Sequence, residues 1–278
     1  MKMHGLNLLY ETFISFEHHT AMAPNDPAFW KDRARASAIH LCLSLVIAAL
    51  AALLVFAIWY PYPYREISGG RELFLIVVSV DVILGPLITL AVFDRRKPLP
   101  ELRRDLGVVV LLQFLALGYG LWTVSVARPV HLVFEYDRYR VVHAIEIPQD
   151  LLDKTPSGLT ALPWTGPSLL SLRPFRSEEE RVEATMVAIK GIALSARPDL
   201  WQSYAAGAES IRRQARPLAD LKARFPGHAA AIDAAVASTG RSAPALAYMP
   251  MVGRKSFWTV LLDPASTEVL AFIPLDSF

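Results

Sequence analysis

The residue best placed to do unusual chemistry in this sequence is Asp81. It lies inside an otherwise apolar run, LFLIVVSVDVILGPLITLAVF, residues 73–93. A carboxylate in such a run is costly in hydrocarbon, so it turns inward, finds a partner and marks a functional position by default. The next apolar run offers two polar candidates. Measured from the midpoints of the two runs, Tyr119 stands at the depth of Asp81, and Gln113 lies roughly 8 Å lower. The spacing therefore predicts a hydrogen bond between Asp81 and Tyr119. Gly85 and Pro86 follow one turn after Asp81. Proline removes a backbone donor and kinks a helix, and a kink beside small residues leaves a lateral groove suited to another helix. Gly118 and Gly120, flanking Tyr119, permit close approach on the third run. Two plainer readings stand beside this one: Asp81 as glue between helices, and the kink as an aid to packing. A proton path is poorly supported by three helices and a single acid.

Other chemistry has little purchase. The sequence contains no GxSxG, Walker loop, HExxH or Cys/His metal spacing, so no catalytic group, metal or cofactor is expected. His131, His143 and His228 are isolated in sequence and read as surface or satisfied core histidines. Ser177 reads as a helix cap. Trp164, Trp201 and Trp258 could form a protein-binding surface but read more simply as core. The single cysteine, Cys42, excludes an intramolecular disulfide, so any domain in an oxidising compartment folds on packing alone. A net charge of +2 gives no argument for nucleic acid; the placement of the basic residues is what matters.

The elements that must hold these residues are membrane spans. Of the 278 residues, 53% are apolar and 19% charged, against about 25% charged in soluble domains. Three runs, 36–59, 73–93 and 106–127, are each long enough to cross about 30 Å of hydrocarbon. The link DRRKPLPELRRD between the second and third carries Arg95, Arg96, Lys97, Arg103 and Arg104, and Lys31, Arg33 and Arg35 precede the first. The positive-inside rule puts both in the cytoplasm. The expectation is a multi-pass inner-membrane protein of a Gram-negative bacterium, with a cytoplasmic tail (1–35), a three-helix membrane domain (36–127) and a periplasmic domain (128–278). Tyr60, Tyr62 and Tyr64 of YPYPY read as an interfacial aromatic belt. With Arg65, Arg71 and Glu72 they would form a periplasmic mouth to the groove. The stretch Met1–Met22, with His4, His18 and His19, reads as a short amphipathic or disordered tail, and Met22 is an alternative start.

For residues 128–278 the pattern predicts an α+β domain with a mainly antiparallel sheet and helices packed on one face. A hairpin over 131–147 would join three late strands, at 246–251, 256–263 and 267–273. Proline punctuation between 148 and 174 reads as loop. Ser177 followed by Glu180 is the signature of a capping box opening a helix to about residue 192, and a second helical tract, 217–238, should break near Pro226-Gly227.

Several pieces then match a known family: Tyr60–Tyr64, SGGRELF (68–74), Asp81 with LGPL (84–87), LRRDL (102–106), Tyr119-Gly120 and Ala127-Arg128-Pro129. In this order, over residues 35–145, the chain resembles the TfpX/TfpZ family of type IV pilin accessory proteins. The resemblance implies a membrane factor, without enzymatic activity or cofactor, that helps a cognate major pilin become stable, presented or assembled. The groove would shelter the pilin's apolar helix and the outer domain its globular head. Two alternatives remain at this point: a structural subunit linking other inner-membrane pilus components, and a membrane-bound enzyme modifying pilin or its lipid surroundings.

Overall fold

A computed structural model describes residues 27–278; the expectations for Met1–Met22 lie outside the described residues. Three helical rods are long and apolar enough to cross a membrane: Pro27–Trp59, Gly70–Val92 and Leu99–Val126. The first is α1 (Pro27–Leu53) continued by a wide π-turn, Leu54–Trp59. A four-residue helix, α2 (Tyr64–Ile67), follows. The second rod is α3 (Gly70–Ser79), a second π-turn at Val80–Leu84, and α4 (Gly85–Val92). The third is one helix, α5 (Leu99–Val126). Two boundaries differ from the sequence expectation. The first rod starts at Pro27, so residues 27–35 are helix rather than tail. The third starts at Leu99, so most of the basic link is helical too, with Pro98 just before the first turn, where a missing N–H costs nothing.

The residues that follow form one mixed sheet with short helices packed on it. Its strands are β1 (Pro129–Glu135), β2 (Arg138–His143), β3 (Ser168–Leu172), β4 (Trp201–Ser203), β5 (Arg216–Pro217), β6 (Ala247–Val252), β7 (Phe257–Leu262) and β8 (Val269–Ile273). The order is β4-β3-β1-β2-β6-β7-β8, with β5 beside β6. The expected hairpin is β1–β2, and the expected late strands are the meander β6–β7–β8. The sheet is nonetheless mixed rather than mainly antiparallel, because β1 pairs parallel with β3 and β2 parallel with β6. β3 lies in the stretch expected to be loop. Its five residues, SLLSL, carry none of the β-branched side chains that advertise a strand.

The sheet buries both faces, not one. One face packs Val133, Val142, Leu170, Tyr248 and Leu261 against α6 (Glu178–Ile189), α8 (Leu218–Arg224) and α9 (Ala229–Ser238). The other packs Leu132, Tyr139, Val141, Met249 and Val260 against Ile211 of α7 (Ala208–Gln214), and against Tyr64 and Ile67 from the link between the first two rods. Ser177 caps α6, accepting from the Glu180 N–H at 3.2 Å. Only half the capping box forms: the Glu180 carboxylate takes the N–H of Arg176 and the guanidinium of Arg173 instead.

Candidate functional site

The site is built where the second rod loses its regular ladder. Asp81 sits in the π-turn Val80–Leu84, directly before Gly85-Pro86. Such wide turns favour functional positions because they displace carbonyls from their usual partners. Asp81 is buried. Its partner is Gln113, whose amide donates at 3.2 Å both to the Asp81 main-chain carbonyl and to Oδ1. The expected bond to Tyr119 does not form: Tyr119 is 69% exposed on the outer face of α5, its ring 5.7 Å from that of Trp122. The reason is the true extent of the rods. The midpoints of Gly70–Val92 and Leu99–Val126 fall at Asp81 and between Leu112 and Gln113. The helical start of the basic link shifts the middle of α5 toward Gln113.

Gly85 and Pro86 are both buried behind this pair. A Cβ on Gly85 would land inside the Gln113 amide, with His40 Nε2 only 3.1 Å away. The glycine is therefore what lets Gln113 reach Asp81. α1 closes the arrangement from the other side. Ser37 Oγ donates to the Pro86 carbonyl at 2.9 Å, and His40 Nδ1 meets Thr89 Oγ1 at 2.5 Å. His40, Ser37 and Thr89 were missed by the sequence reading. The signal that could have found them is their common depth near the kink, since polar side chains within spans seek one another. Gly120 packs against Val77, where an added Cβ would come within 2.6 Å of Cγ1; Gly118 faces open space.

Around this polar island lies a lateral groove of about 730 Å³. Its walls include Ile39, Leu43 and Ile47 of α1, and Leu106, Val110, Phe114 and Leu117 of α5; Asp81, Gln113 and His40 line its inner part. Asp32, Arg35 and Arg95 stand at its outer end, where Arg95 pairs with Asp32 at 3.3 Å. The groove thus opens toward the basic end of the bundle. The expected mouth at Tyr60–Glu72 lies at the opposite end, where the bundle is shut by Ala51, Val55, Trp59, Tyr60, Phe74 and Val124.

The residues expected at that mouth are mostly structural. Tyr60 is fully buried and donates to the Val124 carbonyl at 3.1 Å. Tyr64 is buried in the sheet core, with its ring 6.0 Å from Phe272. Tyr62 is exposed, with its ring 6.3 Å from Trp258 and the Arg65 guanidinium 5.7 Å from its centre. Arg71 reaches Glu66, and Glu72 pairs with Lys255 beyond β6. Interfacial aromatics were expected here because tyrosine suits the headgroup level equally well; packing against the sheet claims Tyr60 and Tyr64 instead.

In the sheet domain, His131 is a satisfied core histidine. Nδ1 meets Ser168 Oγ at 2.7 Å and Nε2 the Ala161 carbonyl at 2.9 Å, and burial pushes its pKa down to about 4. His143 is also fully buried; its Nδ1 lies 3.4 Å from the Glu146 carboxylate, too long for a good hydrogen bond. His228 is exposed beside Phe225. Trp201 is core, Trp258 is buried, and Trp164 is exposed, edge-on to Trp59. Among the described residues, no group of three or more His, Cys, Asp or Glu could hold a metal ion.

Residues 28–69 match the family described as Fimbrial assembly protein FimB. The Fimbrial assembly protein of serogroup I from Dichelobacter nodosus is 34% identical over 250 residues, spanning 88% of this chain and 96% of the relative. This chain belongs to that fimbrial assembly protein family. The serogroup E1 protein of the same organism is 33% identical with the same coverage. The protein of serogroups C1 and C2 is 41% identical over 123 residues, 44% of this chain and 92% of its own length. No solved structure matches the chain. The TfpX/TfpZ resemblance seen in the sequence is compatible with this membership.

Proposed function

We propose that this protein is a type IV pilus assembly factor. It resides in the inner membrane, binds its cognate major pilin through the lateral groove, and keeps that subunit stable until it enters the fibre. The observation that carries this reading is the groove itself. It is open, largely apolar and set among membrane-length helices, and it belongs to a chain whose relatives are called fimbrial assembly proteins. A subunit waiting in a membrane must keep an apolar helix from pairing at random, and a preformed groove supplies that shelter at the cost of little reorganisation. We assign the protein a binding role and no reaction.

Its orientation in this reading follows the basic residues. Arg35 and Arg95 at the groove's outer end, with Arg96, Lys97, Arg103 and Arg104, face the cytoplasm, and the sheet domain faces the periplasm. There the domain stands next to the point where a subunit's globular head would leave the bilayer.

The test is a mild-detergent pull-down of this protein from cells making their own pilin, alongside deletion of its gene. The expected result is recovery of the major pilin and a fall in pilin level and surface fibres on deletion. Recovery of other inner-membrane pilus components without pilin would favour the structural-subunit reading instead.

A further inference from the structure

The polar island at the inner end of the groove is incompletely satisfied, and the missing half says what the occupant must carry. Asp81 Oδ1 accepts from Gln113, and Oδ2 takes no hydrogen bond from any of the described residues. The Gln113 amide already spends both its donors on Asp81, one on the carbonyl and one on Oδ1. Thr89 is engaged with His40 Nδ1, and His40 Nε2, beside Gly85, makes no hydrogen bond to Asp81. Asp81 nevertheless lines the groove. In hydrocarbon, an acceptor left open costs several kcal/mol, so an occupant that supplies a donor there binds better than one that does not.

The dimensions narrow the occupant further. Along α1 the groove runs from Asp32 to Ile47, and along α5 from Leu106 to Leu117. At about 1.5 Å per residue these walls are roughly 22 and 17 Å long, and the apolar part of the α1 wall, from Ala36, covers about half of a 30 Å hydrocarbon core. A lipid acyl chain would fit that length, but it has no donor and would seal Asp81 Oδ2 against methylenes. An apolar helix lying along the groove satisfies both conditions. It offers apolar side chains to Leu43 and Phe114, and one side-chain donor at mid-membrane depth.

We infer that the groove takes the half of a pilin's membrane helix nearest the basic end, and that one hydrogen-bond-donating residue of that helix, about 11 residues in from that end, docks on Asp81. The inference rests on the proposed pilin-binding role and adds to it the depth, the polarity and the face of contact.

A photo-crosslinking residue placed at Leu43 or Phe114, in the groove, is compared with one at Leu111, which is exposed but outside the groove lining. The expected result is pilin crosslinked from Leu43 and Phe114, through the basic-end half of its helix, and not from Leu111. Asp81→Leu should weaken those crosslinks about 3- to 20-fold, the range of hydrogen bonds between membrane helices. A leucine scan of the pilin helix should find one donor residue whose loss has the same effect alone and none in the Asp81→Leu background. This pairing separates lost recognition from a misfolded bundle, as does an unchanged membrane level of the variant. Pilin that co-purifies yet crosslinks equally from Leu111, or ignores Asp81→Leu, would overturn the inference and leave the pilin-binding role intact. Groove crosslinks to lipid alone would overturn the inference and also move any pilin binding away from the groove. Failure to recover pilin by any route would remove both.

Discussion

The Asp81–Gln113 pair gives the residue scale its sharpest predictions, because neighbouring polar residues are sorted by whether they touch it. Gln113→Leu removes both donors and should destabilise the bundle by about 0.6–1.7 kcal/mol, whereas Tyr119→Phe, on the exposed face, should be neutral. Gly85→Ala should resemble Gln113→Leu, since the new Cβ occupies the space of the amide; Gly118→Ala meets open space and should not. Unfolding in mixed detergent checks all four, and a Tyr119→Phe loss equal to that of Gln113→Leu would refute the pairing. His131 supplies a pH dependence. Its folded pKa of about 4 lies below the ordinary 6.5. Between those values the unfolded chain binds a proton that the folded chain refuses. Stability therefore declines as pH falls from about 6.5 toward 4, by about 2 kcal/mol at pH 5. The denaturation midpoint of the purified protein at pH 7 and pH 5 reads this directly, and His131→Gln should flatten the difference.

At the scale of elements, the decisive piece is the link from Tyr60 to Glu72. It ties the bundle to the sheet. Ile67 is fully buried in the sheet core, its carbonyl accepts from the Lys255 N–H at 2.9 Å, and it lies so close to Gly253 that no side chain fits there. Gly166 N–H donates to the Ile58 carbonyl at 2.7 Å. Ile67→Ala should cost about 2–5 kcal/mol, and Gly253→Ala should push Ile67 from its seat; both should expose the sheet domain to limited proteolysis while the three rods stay in the membrane. This link also shows what could be read from the sequence. The rods, the β1–β2 hairpin, the β6–β8 meander and the break at Pro226-Gly227 were legible, because apolar length, alternation and proline act locally. That Asp81 and Gly85 stand inward at a break in the second rod was legible for the same reason. Their partners were not. Whether Asp81 meets Tyr119 or Gln113 depends on where α5 starts, and Leu99–Asp105 is charged enough to pass for loop. Tyr60 and Tyr64 looked interfacial because only the folded sheet offers them something better. The parallel joins to β3 and β6 bring together strands distant in sequence, and no periodicity announces such a pairing.

At the scale of the whole molecule, these details combine into a polarity. One end of the bundle is shut by Trp59, Tyr60 and Phe74 and latched to the sheet; the other is open, basic and continuous with the groove. A ligand helix can therefore enter sideways from the bilayer or from the basic end, but not past the sheet domain. In the proposed role, with the basic end in the cytoplasm, the groove would grip the cytoplasmic half of the pilin helix and leave the periplasmic half free to be handed on. Single cysteines can read the orientation. In a Cys42→Ser background, Ser256→Cys places an exposed thiol in the sheet domain and Arg104→Cys places one at the basic end. With a membrane-impermeant maleimide applied to spheroplasts, Ser256→Cys should be labelled at once, and Arg104→Cys only after the membrane is permeabilised. The reverse pattern would put the open end of the groove in the periplasm. In the proposed role the groove would then hold the outer half of the pilin helix, with the sheet domain on the cytoplasmic side, away from the subunit's globular head.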